Sequence, residues 1–573
     1  MTKVQRESDQ AEGSDPVANA KRARRPNFLI FVTDQHRADH LGCYGNPIVR
    51  TPNIDAIAAG GIRFNRAYVS NPVCMPNRGA MMTSRVPSAH GARGNGIPLP
   101  LDSTTFADLL AEAGYRTALI GKSHLQNMED RPALLPPVDQ PDGVAASIRY
   151  LEARHPADDG TAYRQELRSS WERPEHALRL PFYGFQEVVL CNHHGDECFG
   201  DWLRWLRAGH PDSAKQLGRE HGLKDPRYVA PQAWRTRLDE ETYPTNFIAH
   251  QSAQWLKRHA TAHAGEPFAL MCSFPDPHHP WTPPGRYWDM FNPDAMPLPS
   301  SMPGDAALDP AASDSDAQAA AAAQPSHVRW LLEERRRGAA KLDSPRLFAA
   351  TRREVREMIA LTYGMIANID DRIGMVMQGL RESGLDRDTV VIFTSDHGDL
   401  MGDHGLVLKG PLHYQGLVRV PFIWRDLAAG AVATAHARVS EDLVSTLDLG
   451  ASLLQRAGIA PVNGMQGRAL FSPAGMPLAV DRDAVLIEEN QQRAYLGFED
   501  PVQMRTIVTA THRMSVFVEG DWGELYDLEN DPGEFENLWD APAHAATRAR
   551  LMEKLALTEI EHVDRVPLPT RRA

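Results

Sequence analysis

The sequence predicts an α/β fold: a mostly parallel central sheet flanked by helices, followed by a smaller C-terminal α+β domain with an antiparallel sheet. Three observations lead there. Short, nearly continuous apolar runs at Asn27–Thr33, 268–274 and 390–393 have the pattern of strands covered on both faces. Helical stretches separate these runs, the alternation that builds parallel sheets. Beyond residue 431 the pattern changes, and 484–489 and 506–518 suggest antiparallel strands.

The first strand runs straight into Asp34-Gln35. Ligand-binding groups collect beyond the carboxyl ends of strands in open α/β sheets, although an acidic residue there serves equally as a helix N-cap. Thr51-Pro52 opens a helix that Gly60-Gly61 closes. Next comes Cys74-Met75-Pro76-Asn77-Arg78, with a helical pattern from Arg78 to Ser84. This places Cys74 near a helix N-terminus, where free N–H groups favour negative charge. A Gly-rich loop carries Asn95, and residues 106–113 read as an amphipathic helix capped by Asp102 or Ser103. Tyr115 to Gly121 reads as a strand delivering Lys122-Ser123-His124, whose extended alternation puts Lys122 and His124 on one side.

Residues 125–240 lack a clear pattern and read as an insertion over the active-site face. Within them, Cys191 to Cys198 holds metal-capable side chains, but the spacing fits no usual zinc site, and pocket lining is the better reading. Residues 247–256 read as a helix leading to the strand at 268 and a Pro-stiffened turn with His278 and His279. Residues 295–345 read as a second insertion, its Ala-, Asp-, Ser- and Pro-rich part (301–325) as mobile. Ile359, Thr362, Ile366, Ile369, Ile373, Val376 and Leu380 step by three and four, the seam of one long helix. The strand after it ends in Asp396-His397, and Lys409 follows shortly.

Length and composition set the frame. At 573 residues the chain exceeds one compact core. We divide it into a disordered leader (1–25), a catalytic domain (26–430) and a smaller C-terminal domain (431–573). No apolar run approaches the roughly 20 residues of a membrane span, and the polar leader has no signal-like apolar region. Five Cys make no disulfide framework, so a cytoplasmic protein is expected. The net charge of −13 argues against nucleic acid, and no membrane partner is expected. A homo-oligomer is left open.

Five motifs, in order, resemble the sulfatase family: the Asp34-Gln35 strand end, Cys-x-Pro-x-Arg at Cys74, Gly-Tyr-x-Thr ending in Gly-Lys-x-His at His124, Pro-His-x-Pro at His278, and Asp396-His397 followed by Lys409. The resemblance spans about residues 26–560 and implies an alkaline-phosphatase-like core. It implies that a maturation enzyme oxidises Cys74 to Cα-formylglycine, and that a small anionic sulfate monoester is hydrolysed through a covalent sulfo-enzyme intermediate. The implied metal ligands are Asp34, Gln35, Asp396, His397 and the modified Cys74, around one divalent ion, with Ca²⁺ first and Mn²⁺ or Mg²⁺ as alternatives. Arg78 and Lys122 would hold the diolate. Lys409 and His278 would bind sulfuryl oxygens, one of them protonating the departing alcohol. His124 would take a proton from the second hydroxyl, and Asn95 would hydrogen-bond substrate.

Two departures matter. Many sulfatases carry a second Asp and an Asn where this chain has Gln35 and His397, a set shared with choline-sulfatase-like enzymes and phosphonate monoester hydrolases. Thr83-Ser84-Arg85 also stands where Thr-Gly-Arg is usual. Phosphonate monoester or phosphodiester hydrolysis is therefore the alternative, but those relatives carry Tyr and Thr at the Lys122 and His124 positions, which favours sulfate here. An unmodified, non-catalytic binding protein ranks lower.

Overall fold

The computed structural model describes residues 25–131, 161–428, 438–519 and 522–571. The expected leader lies outside them, Arg25 aside. Strands β1 (Asn27–Thr33), β2 (Ile62–Tyr68), β3 (Arg116–Gly121), β4 (Glu187–Asn192), β5 (Phe199–Gly200), β6 (Phe268–Ser273), β7 (Phe348–Ala349), β8 (Thr389–Ser395), β9 (Leu406–Val407), β10 (Phe422–Asp426) and β11 (Arg438–Ser445) precede a second set. That set is β12 (Ala484–Asn490), β13 (Gln503–Thr509), β14 (His512–Phe517) and β15 (Gly523–Asp527).

The large sheet runs β11-β2-β10-β8-β1-β6-β3-β4-β5. β1 pairs in parallel with β6 and β8 at its centre, whereas β10 runs antiparallel to both its neighbours and β5 antiparallel to β4. The continuous apolar runs have the physical cause expected of them. In β1, Leu29 and Phe31 enter the core on one face, while Phe28, Ile30 and Val32 enter the core on the other. The first face is covered by Pro52–Ala59, Pro244–Ala262 and the long helix Arg352–Glu382, whose Ile359, Ile366, Ile369 and Ile373 are buried. The second is covered by Cys74–Thr83, Phe106–Glu112 and Asp448–Arg456. Thr105, not Asp102 or Ser103, caps Phe106–Glu112, in a reciprocal box with Asp108.

Three expectations about organisation change. Within 125–240, β4 and β5 extend the central sheet, so this stretch is partly core; residues 132–160 lie outside the described part. The 301–325 region is folded rather than loose: it forms the helix Asp314–Ala320, and the next helix, Ser326–Arg336, buries Val328, Leu331 and Leu332. Finally, β11 lies past residue 431 yet pairs in parallel with β2, so the large sheet continues across the expected boundary. The four-stranded antiparallel sheet β12-β13-β14-β15 packs one face on the main body and the other on Ala545–Glu561, through Leu551 and Leu555.

Candidate active site

The polar strand ends converge beyond the carboxyl edge of the large sheet. β1 delivers Asp34 and Gln35, and β8 delivers Asp396 and His397; all four are buried. Cys74 is the first residue of the helix Cys74–Thr83. Pro76 fits there because first-turn N–H groups have no helical partner to lose. Arg78 follows one turn later, on the same face as Cys74. Asn77 fixes the helix to its surroundings: its side-chain oxygen accepts from Ser70 N at 3.1 Å and Thr446 Oγ1 at 2.8 Å.

Cys74 Sγ lies 3.1 Å from His397 Nε2, 3.4 Å from Lys409 Nζ and 3.8 Å from Asp34 Oδ1. Burial and the Asp34 carboxylate push its thiol up, but Lys409, Lys122 and His397 together outweigh them, and the net direction is down. Burial also works against the Asp34 charge, yet Lys122, with Arg78 beside it, holds its carboxyl well below the usual range. Arg78 donates Nε to Asp396 Oδ2 at 2.8 Å and Nη1 to the Lys122 carbonyl at 3.0 Å, with Nη2 3.7 Å from Asp34 Oδ2. Lys122 is fully buried and paired with Asp34. Lys409 Nζ reaches Gln35 Oε1 at 3.1 Å and His278 Nε2 at 2.7 Å. On a protein of net charge −13, two cations thus hold the Asp34–Asp396 pair and a third, Lys409, stands beside Gln35 and Cys74.

Two sequence-predicted residues stand differently from expectation. β3 ends at Gly121, at φ +117°, where a Cβ would run into the Ser273 carbonyl; His124 then adopts φ +54°. The Lys122–His124 stretch is therefore bent, not extended, and among the described residues no hydrogen bond joins His124 to Cys74. Its backbone N–H donates to Glu166 Oε1 at 3.0 Å, and its buried Nδ1 has no partner. Burial, then Lys122 and Arg78, hold His124 well below the usual histidine value, hence neutral. Asn95 accepts the Met75 N–H at 3.1 Å, bracing the start of the Cys74 helix rather than standing free.

His194 belongs to the Cys191–Cys198 stretch that the sequence reads as pocket lining, without marking it out from its neighbours. Its Nε2 is 2.7 Å from Lys122 Nζ and 3.7 Å from Asp34 Oδ2, and its ring stacks on His278. The signal was present, since His194 follows the apolar end of β4, but that run was assigned to an insertion. Asp399 was missed; with His279 it holds the Gln35 amide nitrogen.

The donor set fits a divalent ion. Asp34, Cys74, Asp396 and His397 offer ligand atoms within 4.8 Å of one another. His397 Nδ1 donates to the Gly398 carbonyl at 2.8 Å, which turns Nε2, the atom that would bind an ion, toward Cys74. With its nitrogen bound to Asp399 and His279, Gln35 turns its oxygen toward the site. A second group, Asp34, His194 and His278, is also compact, but the Lys122 ammonium is bonded to its first two members.

The sulfatase family profile matches residues 26–459, and that of the N-sulphoglucosamine sulphohydrolase C-terminal region matches 402–561. An arylsulfatase of Clostridium perfringens (strain 13 / Type A) is 25% identical, over 94% of this chain and 95% of that protein. A choline-sulfatase of Rhizobium meliloti (strain 1021) is 25% identical, over 92% of this chain and 85% of that protein. Among solved structures, a phosphonate monoester hydrolase of Agrobacterium radiobacter superposes with a TM-score of 0.69 at 24% identity, over 96% of this chain and all of the other. With the profile spanning most of the chain, the protein belongs to the sulfatase family and is an enzyme of the sulfuric ester hydrolase class.

Proposed function

We propose that the chain hydrolyses small anionic sulfate monoesters at Cys74, after a maturation enzyme has converted that residue to Cα-formylglycine. The converted side chain supplies a hydroxyl nucleophile on a hydrated aldehyde, and a divalent ion held by Asp34, Gln35, Asp396 and His397, Ca²⁺ first, supplies Lewis-acid charge beside it. The observation that carries the reading is the burial of Cys74 at a helix start, within 3.4 Å of both His397 and Lys409.

The other residues take the following roles. Lys409 binds a sulfuryl oxygen and its ammonium carries the proton for the departing alcohol; His278, whose Nε2 accepts a Lys409 N–H at 2.7 Å and whose Nδ1 donates to the His279 carbonyl, aims that ammonium rather than binding the oxygen itself. Lys122 and Arg78 place positive charge beside the nucleophile and keep Asp34 ionised. His124, neutral and with Nδ1 unpartnered, takes the proton whose removal frees sulfate. Asn95 keeps the nucleophile's helix in place. The five cysteines, none disulfide-bonded, support a cytoplasmic setting, and among the described residues no helix is long and apolar enough to cross a membrane.

Hydrolysis of phosphonate monoesters or phosphodiesters is the second reading, favoured by the Gln35/His397 donor pair. A panel of aryl sulfates, alkyl sulfates, phosphonate monoesters and phosphodiesters separates the two. Sulfate esters are expected to give the highest kcat/KM, with Cys74→Ala inactive on all four. Faster turnover of a phosphorus ester would transfer the assignment to the second reading.

A further inference from the structure

Two lysine–histidine pairs meet at the site through their imidazoles. Lys409 Nζ lies 2.7 Å from His278 Nε2, and Lys122 Nζ lies 2.7 Å from His194 Nε2. The two imidazoles stack, with centroids 3.5 Å apart and planes 9° from parallel. An ammonium has no acceptor, so each histidine must offer the lone pair of Nε2 and carry its proton on Nδ1. In His278 that proton goes to the His279 carbonyl. Both rings are therefore neutral, and so they can stack face to face without charge repulsion.

The backbone is bent to put His194 there. β4 ends at Asn192, and His193 then adopts φ +81°, a left-handed conformation that non-glycine residues rarely take, before Gly195 at φ +53°. A Cβ at Gly195 would press on Thr282 and Pro280. His193 is held 3.2 Å from Glu129, while Asn192 accepts from Ser123 N at 3.0 Å and donates to Glu166 Oε1 at 2.9 Å. The loop is thus tied to the segment that carries Lys122 and His124, and its strained residue directly precedes His194.

We propose that His194 is a positioning residue for Lys122 and His278. Its Nε2 holds one Lys122 N–H and Asp34 holds another, leaving the third for the nucleophile or a substrate oxygen. Its ring face fixes the plane of His278, and with it the direction from which Lys409 is met. The inference rests on the sulfatase reading and deepens it, because it assigns the orientation of both lysines to one side chain.

Three variants separate the two functions. His194→Gln keeps an acceptor and loses the ring, His194→Phe keeps the ring and loses the acceptor, and His194→Ala loses both. The assay is kcat and KM on 4-nitrophenyl sulfate, with peptide mass spectrometry reporting Cys74 conversion and thermal melting reporting the fold. For fully converted, folded protein, His194→Ala is expected to lower kcat about 10²-fold, the usual effect of displacing a catalytic group by about an ångström, with KM changed far less. His194→Gln should recover most of that loss, and His194→Phe a smaller part. The inference is overturned if all three variants stay within twofold of wild-type kcat, or if His194→Gln is no better than His194→Ala. Should a variant fold or convert poorly, kcat per converted site in the remaining variants decides in the same way. Wild-type protein inactive on every sulfate ester would instead overturn the sulfatase reading itself.

Discussion

Arg78 sits between two buried carboxylates, and removing it would leave both without their guanidinium partner. Breaking such a buried network from one side typically costs about 3–5 kcal/mol, because Asp396 is left buried without its cation, while Asp34 keeps Lys122. Arg78→Leu is accordingly expected to lower urea-unfolding stability by that amount, whereas Lys215→Leu, which removes an exposed ion pair with Asp212, should change it little. Lys409 and His278 act as one unit through their 2.7 Å contact. Lys409→Ala is expected to lower kcat about 10²–10³-fold, as loss of one preorganised donor does. The double variant should be little worse than either single one, since coupled groups are not additive. Additive losses in steady-state kinetics would show that the two residues act independently. At this scale the sequence revealed chemistry but not posture. Asp34, Asp396 and Lys122 could be named because each ends an apolar strand. The bent backbone at His124 and the bracing role of Asn95 depend on contacts with Glu166 and Met75 that no local pattern encodes.

Secondary-structure elements hold these groups rigidly. The seam of Arg352–Glu382 was legible because its buried residues step by three and four, and Ile369 on that seam is fully buried. Ile369→Ala should cost about 2–5 kcal/mol by leaving a cavity, measurable by denaturant titration, with the Cys74 site intact. The loop after β4 adds a pH dependence. Burial raises the Asp196 carboxyl from 3.8 to about 6, although Thr236 and Trp234 donate to it. The folded protein then keeps a proton that the unfolded chain releases. Stability from this group is full below about pH 4, falls as pH rises toward 6, and is flat above. Asp196→Asn should remove that slope, on the order of 2–3 kcal/mol across the window; an unchanged pH–stability curve would contradict it. β4 itself was misread because its neighbours in sequence lack pattern, while its pairing with β3 is a long-range event.

Over the whole molecule, a cationic, metal-competent centre is embedded in an acidic protein, and its candidate ligands come from two segments far apart in sequence, residues 34–74 and 396–397. Removing the bound ion with a chelator should lower both activity and the melting temperature, and Ca²⁺ should restore them. An ion at 100 times its dissociation constant stabilises by about 2.7 kcal/mol, enough to see in a thermal scan. The parallel core could be read from the sequence because burial on both faces writes itself into residue type. The entry of β11 into the large sheet could not, because Val444 and its neighbours look the same whether they pair with β2 or with the small sheet. The most direct test of the account is mass spectrometry of the tryptic peptide spanning residues 67–78, from protein made with the maturation enzyme. The account predicts a peptide in which Cys74 has exchanged its sulfur and two hydrogens for one oxygen, with aldehyde reactivity. A peptide found only with the intact thiol, in protein that still hydrolyses sulfate esters, would contradict it.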